Sequence, residues 1–221
     1  MVVKRMDFAR NPFIGAFSLS TDKFAIFPLT LPFKKEVASA LGVSIIKASI
    51  SKSPLLGVLM AGNSNGVLCS EAFEVEFEKG EKVDLNIGYL PGKHTALGNM
   101  ILANDYGALI SPEFPDSIGK LIGENLGVRV KKGTIAGFRN VGAVGIATNN
   151  GALLHPDASQ EEINVASEIL GVPVDIGTAC SGTKFVGLCV IANSRCAIAG
   201  ATTTGPELGR IESALNLLGG S

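Results

Sequence analysis

An apolar residue followed by glycine recurs through this chain as Ile14-Gly15, Leu56-Gly57, Leu97-Gly98, Val141-Gly142 and Val186-Gly187, with the glycines 42, 41, 44 and 45 residues apart. No other feature limits the fold as strongly. A fixed period of this size marks an array of like supersecondary units, each needing its neighbours to bury its apolar face. Five units of about 43 residues nearly exhaust the 221 positions.

The register extends past the glycines. Six to nine residues after each stand Thr21-Asp22-Lys23-Phe24, Asn63-Ser64-Asn65-Gly66, Asn104-Asp105-Tyr106-Gly107, Thr148-Asn149-Asn150-Gly151 and Asn193-Ser194-Arg195-Cys196. Asn, Asp, Ser and Gly favour tight turns through local side-chain hydrogen bonds and positive φ. Apolar segments flank these turns, as in Val58-Leu59-Met60 before and Val67-Leu68-Cys69 after, so each reads as a β-hairpin. Cys196 replaces the glycine that most of the turns carry, which predicts a looser fifth turn.

Helices follow in most units. Pro115-Asp116-Ser117 opens one with Ile118, Leu121, Ile122 and Leu126 on a single face. Residues 157–162 open another with Ile163, Ala166, Ile169 and Leu170, and a third is expected over 205–218. Gly42, Gly127 and Gly171, each within Leu-Gly-Val, suit the left-handed cap that stops a helix. A third strand follows, as at 45–50 and 174–178. In the second unit Phe73, Val75 and Phe77 alternate with acids, which predicts a strand and a short or absent helix.

The fifth unit lacks its last strand before the chain ends. Residues 10–15 match 52–57 position by position, and 52–57 follow a third strand. Residues 2–8 are therefore expected to supply the missing strand and close the array, protecting the edges that an open solenoid would leave exposed. The expected fold is α/β, a closed ring of five pseudosymmetric repeats in a single domain, 1–221. The units run about 13–54, 55–95, 96–139, 140–184 and 185–221, with 1–12 completing the fifth.

With 46% apolar and 18% charged residues the chain can bury a core, and disorder is excluded. No apolar run reaches membrane-helix length and the N-terminus has no secretory core, which implies a cytoplasmic protein. The 19 basic and 20 acidic residues give a net charge of −1, without the surplus that phosphate-driven RNA binding uses. Cys69, Cys180, Cys189 and Cys196 form no C-x-x-C pair, so no zinc site is expected, and the thiols read as reduced and mostly buried. No phosphate-binding loop motif occurs, and no cofactor is implied.

Several stretches together resemble the archaeal branch of the translation initiation factor six family. They are Thr95-Ala96-Leu97-Gly98-Asn99, residues 104–112 (Asn104-Asp105-Tyr106-Gly107 through Ser111-Pro112), residues 148–156 (Thr148-Asn149-Asn150-Gly151 through His155-Pro156) and Thr203-Thr204-Gly205-Pro206-Glu207-Leu208. The resemblance spans essentially the whole chain. It implies the pentein fold, a fivefold α/β propeller. It also implies binding to the joining face of the large ribosomal subunit near the sarcin–ricin loop, which blocks the small subunit; a monomer is expected. A role in large-subunit maturation is implied too. The C-terminal tail of eukaryotic relatives has no counterpart before Ser221.

The alternative is a pentein enzyme acting on a guanidine group, with Cys189 or Cys196 as nucleophile and His155 or His94 as base. Cys189 lies in what reads as an apolar strand, and Cys196 sits at a turn with no histidine beside it in sequence to act as its base. Catalysis is therefore not expected. In a cyclic array equivalent turns share one face, so Asn63, Asn65, Asn104, Asp105, Tyr106, Asn149, Asn150, Asn193 and Arg195 would form a polar, nearly neutral patch. Such a patch suits ribosomal protein, with some rRNA contact, better than bare RNA. Tyr and Arg are types enriched at binding hot spots.

Overall fold

The computed structural model describes residues 3–78 and 85–217. Each apolar-glycine pair opens into one short helical turn or bend, then a short strand, a tight turn and a second strand that pairs back antiparallel. The N-terminal strand β1 is Val3–Met6. The first hairpin is α1 (Ile14–Phe17), β2 (Leu19–Ser20) and β3 (Phe24–Pro28). After α2 (Lys35–Ala38) comes β4 (Ser44–Ile50), which pairs parallel with β3. The second hairpin is α3 (Leu56–Leu59), β5 (Ala61–Asn63) and β6 (Gly66–Ser70). It is followed by β7 (Val75–Phe77) and by β8 (Ile87–Leu90), which lies parallel to β6.

The later units carry longer helices. The third is α4 (Leu97–Met100), β9 (Ile101–Ala103), β10 (Gly107–Ile110), α5 (Asp116–Leu126) and β11 (Arg129–Lys132). The fourth is β12 (Gly145–Ala147), β13 (Ala152–Leu154), α6 (Gln160–Leu170) and β14 (Val174–Ile176). The fifth is α7 (Val186–Cys189), β15 (Val190–Ala192), β16 (Ala197–Gly200) and α8 (Gly205–Ala214).

Among the described residues the molecule is thus α/β, with five small mixed sheets that are hydrogen-bonded separately rather than as one barrel. Each holds an antiparallel hairpin plus a third strand parallel to its second, and a parallel pair requires a crossover connection. In the last sheet the third strand comes from the other end of the chain: β1 pairs with β16, Val3 opposite Ala197 and Met6 opposite Gly200. The second unit has β7 on the edge of β4, so the alternating segment is a strand over Val75–Phe77. Residues 79–84 lie outside the described residues, as do residues 1–2 and Leu218, the last residue of the helix expected over 205–218. That helix stops at Ala214.

The repeat glycines are explained by contact. A Cβ on Gly57 would lie 1.8 Å from the carbonyl oxygen of Gly15, and one on Gly98 2.0 Å from that of Gly57. Gly142 stands in the same relation to Gly98, Gly187 to Gly142 and Gly15 to Gly187. Any side chain would push neighbouring units apart. The same crowding corrects one expectation: Val58-Leu59 and Cys189 belong to short helices, not strands. These single turns are set by a distant backbone, not by local propensity.

The core fills the space between neighbouring sheets. Met6 and Phe8 pack with Ile14, Phe27 and Leu41 of the first unit and Ile191 and Ile198 of the last. On α5, Ile122 and Leu126 are fully buried, and on α6 Ala166 and Leu170. Burying one such Leu or Ile contributes about 1.5–3 kcal/mol. Gly42, Gly127 and Gly171 adopt left-handed φ of 67°, 67° and 65° and end their helices as the Leu-Gly-Val pattern requires. No helix among the described residues is long and apolar enough to cross a membrane.

Candidate functional site: two ends of the strand cluster

The first strands of the five sheets lie side by side, β2 against β5 and β15, β12 against β9 and β15, and β5 against β9. Their tight turns therefore gather at one end of the cluster and the short helices at the other.

At the turn end the opening asparagines face inward. Asn63, Asn104 and Asn193 are 2%, 4% and 2% exposed. Asn104 Nδ2 donates to the carbonyls of Thr148 (2.9 Å) and Leu170 (2.8 Å), while its Oδ1 accepts from the amides of Tyr106 and Gly107. Asn63 likewise donates to the carbonyls of Asn104 and Leu126, and Asn193 to those of Thr21 and Leu41. One side chain thus shapes its own turn, ties it to the next turn and satisfies a carbonyl at the end of a helix. These three residues hold the turn end together and offer no side chain to a partner. As contact residues they are corrected, because their polarity is spent on backbone 41 to 172 residues away.

The second turn residues form a chain between turns. Asp105 Oδ1 accepts from Ser64 N at 2.8 Å, and Asp105 N donates to Asn149 Oδ1 at 2.9 Å. Asn149 Nδ2 donates to both Asp105 and Asp22 carboxylates at 2.7 Å, and Asp22 also accepts from the amide and hydroxyl of Ser194. Asp22, Ser64 and Ser194 are absent from the sequence-based selection. Their equivalent position in the repeat was the available signal.

The third turn residues point outward. Asn65, Tyr106 and Arg195 are exposed, Tyr106 by 53%, and Asn150 is half-buried. Each of the three lies over a glycine that caps a neighbouring helix: Asn65 over Gly127, Tyr106 over Gly171 and Arg195 over Gly42. Arg195 donates to Gly42 O at 2.7 Å and Asn150 to Ser194 O at 3.1 Å. The structure thus brings all nine selected residues to one end but leaves six with side-chain surface there. Two further details differ from expectation. The fifth turn is as tight as the others, with Asn193 N to Cys196 O at 3.0 Å and Cys196 N to Asn193 Oδ1 at 3.0 Å. No turn residue has positive φ, so turn glycines answer to space: a Cβ on Gly107 would sit 1.8 Å from Ile169 O.

The helix end is different in character. Phe13, Leu55 and Phe138 are 40%, 37% and 39% exposed. Phe13 and Leu55 precede α1 and α3, whose neighbours are each other, α4 and α7. Phe138 packs at 5.2 Å from Phe185, which precedes α7. Sequence reading passed over this end. The signal was two apolar residues in a row before a repeat glycine, as in Phe13-Ile14 and Leu55-Leu56, where only the second is buried in the core.

The thiols and histidines do not assemble a nucleophile and base. Cys189 is fully buried, and a hydrogen bond with Cys180, reinforced by burial, pushes its pKa far up. Burial also pushes the Cys196 thiol up. The hydrogen bond with Cys189 lowers the pKa of Cys180, but that thiol is only 7% exposed. His155 is buried beside Phe138 and Phe185, accepts from Asp157 N through Nδ1 at 3.1 Å, and has its pKa lowered by desolvation. His94 packs edge-on against Phe114. Among the described residues no cluster of three or more His, Cys, Asp or Glu could hold a metal.

Comparison with known proteins places this architecture. The model of the eIF-6 family matches residues 3–214. Translation initiation factor 6 of Pyrococcus abyssi is 41% identical over 227 residues, which covers 99% of this chain and all of the relative. The Methanosarcina mazei protein of the same name is 41% identical over 219 residues, covering 98% of this chain and all of the relative. That of Methanocaldococcus jannaschii is 39% identical over 228 residues, covering 99% of each.

Proposed function

This chain belongs to the eIF-6 family, and from that membership we infer that it binds the large ribosomal subunit and prevents premature joining of the small one, with a part in large-subunit maturation. The observation that carries the reading is similarity over the entire length to proteins named translation initiation factor 6. The fold supports it as a rigid block. We read the five sheets as one unit repeated about a closed ring of pentein type, because the glycine contacts return from Gly187 to Gly15 and the N-terminal strand completes the last sheet. Such a body obstructs by its bulk and needs no catalytic group. We place it in the cytoplasm, acting as a monomer.

A net charge of −1 favours ribosomal protein over rRNA phosphates as the main contact. At the turn end the contact set is Asn65, Tyr106, Asn150 and Arg195, with Asp105 and Asn149 behind them. A second reading is favoured by the exposed Phe13, Leu55 and Phe138 at the helix end, since large apolar side chains form the centre of protein interfaces. Two triple variants separate the readings by co-sedimentation with purified large subunits: N65A/Y106A/R195A and F13A/L55A/F138A. The set that lies in the interface should lose at least tenfold in affinity while the other binds like wild type. Wild-type protein that fails to co-sediment would refute the function itself.

A further inference from the structure

Charge is unevenly spread along this chain. Residues 1–54 hold eight basic and three acidic residues, a net +5, whereas residues 55–221 carry a net −6. The near-zero total therefore hides a basic first unit. Pairing is uneven too. Of the eight cations in that segment only Lys47 has a carboxylate partner among the described residues, Glu78 at 2.8 Å. Further along the chain Lys120, Lys131, Lys132 and Arg210 each have one, in Glu124, Glu168, Asp116 and Asp175.

The unpaired cations gather on one flank. In β1, Met6 packs with Ala38 of α2 and with Leu41, and Lys4 shares its face because side chains two apart on a strand point the same way. Arg5 lies on the opposite face and donates to Thr203 O at 3.4 Å. Phe8, Phe27 and Phe33 form a row of rings, with centroids 6.3 Å and 4.5 Å apart, that joins the bend after β1 to the start of α2. Arg10 in that bend and the exposed Lys34-Lys35 pair are thus on the same side as Lys4. At the turn end Arg195 reaches across to Gly42 O, and Asp22 accepts from the Ser194 amide and hydroxyl, which brings Lys23 beside Arg195. The acids of this segment offset little of the charge. Asp7 accepts from Arg10 N, Asp22 is held by Ser194 and Asn149, and Glu36 is the third. The fold gains nothing from the arrangement. In α5, α6 and α8 the first turn carries acids and no base, whereas Lys34 and Lys35 at the start of α2 oppose the helix dipole.

Exposed cations spread from one end of the fold to the other suit phosphates spaced along a strand, not one small anion. We propose that this flank lies against rRNA of the large subunit, with the ammonium groups of Lys4, Lys34 and Lys35 on backbone phosphates. The inference rests on the proposed large-subunit function and adds to it: RNA is met by the side of the fold, while one of its ends takes ribosomal protein. The cations are scattered, without a run of more than two, so phosphate contacts are few. About two contacts to a single strand give affinity a slope of about −1.4 against salt on logarithmic axes, so a threefold rise in salt costs roughly fivefold.

Co-sedimentation with purified large subunits at about 50 and about 150 mM salt tests the contact. The variant K4A/K34A/K35A should bind about fivefold more weakly than wild type at the lower salt and lose most of the salt dependence. K4R/K34R/K35R keeps the charges and should bind like wild type. K120A/K131A/K132A makes the same change in net charge on the third unit and should also bind like wild type. A p-benzoylphenylalanine in place of Glu36 should cross-link to rRNA on irradiation. Wild-type affinity and salt dependence in K4A/K34A/K35A, an equal loss in K120A/K131A/K132A, or cross-links to ribosomal protein alone would each overturn the contact and leave the proposed function standing. Wild-type protein that fails to co-sediment would instead refute that function and the contact with it.

Discussion

The asparagines of the tight turns show how residue type and residue role diverge. A polar side chain in a turn is ordinarily read as surface, yet Asn104 is buried and makes four hydrogen bonds to backbone. Removing it strands the carbonyls of Thr148 and Leu170 in the interior, and a buried unsatisfied group costs about 1–3 kcal/mol. Asn104→Ala should therefore lower stability by about 3 kcal/mol, which corresponds to a Tm drop of roughly 6–12 °C in a domain of this size. Tyr106→Ala, two residues on and exposed, should stay within about 0.5 kcal/mol. Thermal melts of the two variants check this, and similar melting temperatures would contradict it. The thiols set a parallel expectation. Cys189→Ala should cost some stability through its small cavity and leave large-subunit binding intact. Loss of binding by the folded variant would point back to thiol chemistry.

Glu162 and Glu207 add a pH dependence. Burial acts to raise both pKa values, but backbone and hydroxyl hydrogen bonds outweigh it and hold each at about 2, against an ordinary 4.5. A carboxylate whose folded pKa lies below its unfolded one stabilises fully above the unfolded value, and that contribution fades as pH falls through the folded value. Stability should hold down to about pH 4.5 and decline toward pH 2. Glu207→Gln should be less stable than wild type at neutral pH, and the gap should close near pH 2. Denaturant unfolding across this range measures it, and a constant gap would show that the carboxylate's charge is not what these hydrogen bonds hold.

At the scale of elements, the sequence was legible wherever a local rule decides. The turns, the helical stripes on α5 and α6 and the three glycine caps follow from spacing and residue type. So does the strand at Val75–Phe77, where phenylalanine and valine alternate with acids. The short helices at the repeat glycines were not legible, because each glycine packs on the carbonyl of another repeat glycine 41 to 45 residues away, or 172 for Gly15. The candidate site was legible in position but not in detail. The repeat register gathers nine turn residues at one end, but which of them face inward depends on carbonyls of other units. The element with the largest predicted leverage is β1, which pairs along its whole length with β16 and buries Val3 and Met6. Deleting residues 1–8 exposes that edge and removes Phe8 from the core, so the truncated protein should melt well below wild type. A truncated protein with the wild-type melting temperature would show that the last sheet does not need its third strand.

At the scale of the whole molecule, the proposed function asks only for a compact body that obstructs. Its five glycine-to-glycine contacts bring the units together at their backbones, and its interior polar groups at the turn end are largely satisfied within the fold. Under the proposed function, binding then falls to shape and to whichever end docks. Because no run of Lys or Arg supplies counterion release, affinity for the large subunit should fall only modestly between low and moderate salt. The most direct test of the central claim is subunit joining itself. Purified large subunits are preincubated with this protein and mixed with small subunits, and particle formation is followed by light scattering and sucrose-gradient sedimentation. The account predicts that joined particles decrease in proportion to the protein bound to large subunits, with preincubation of small subunits having no effect. Undiminished joining at saturating protein, or inhibition that requires the small subunit as the binding partner, would contradict it.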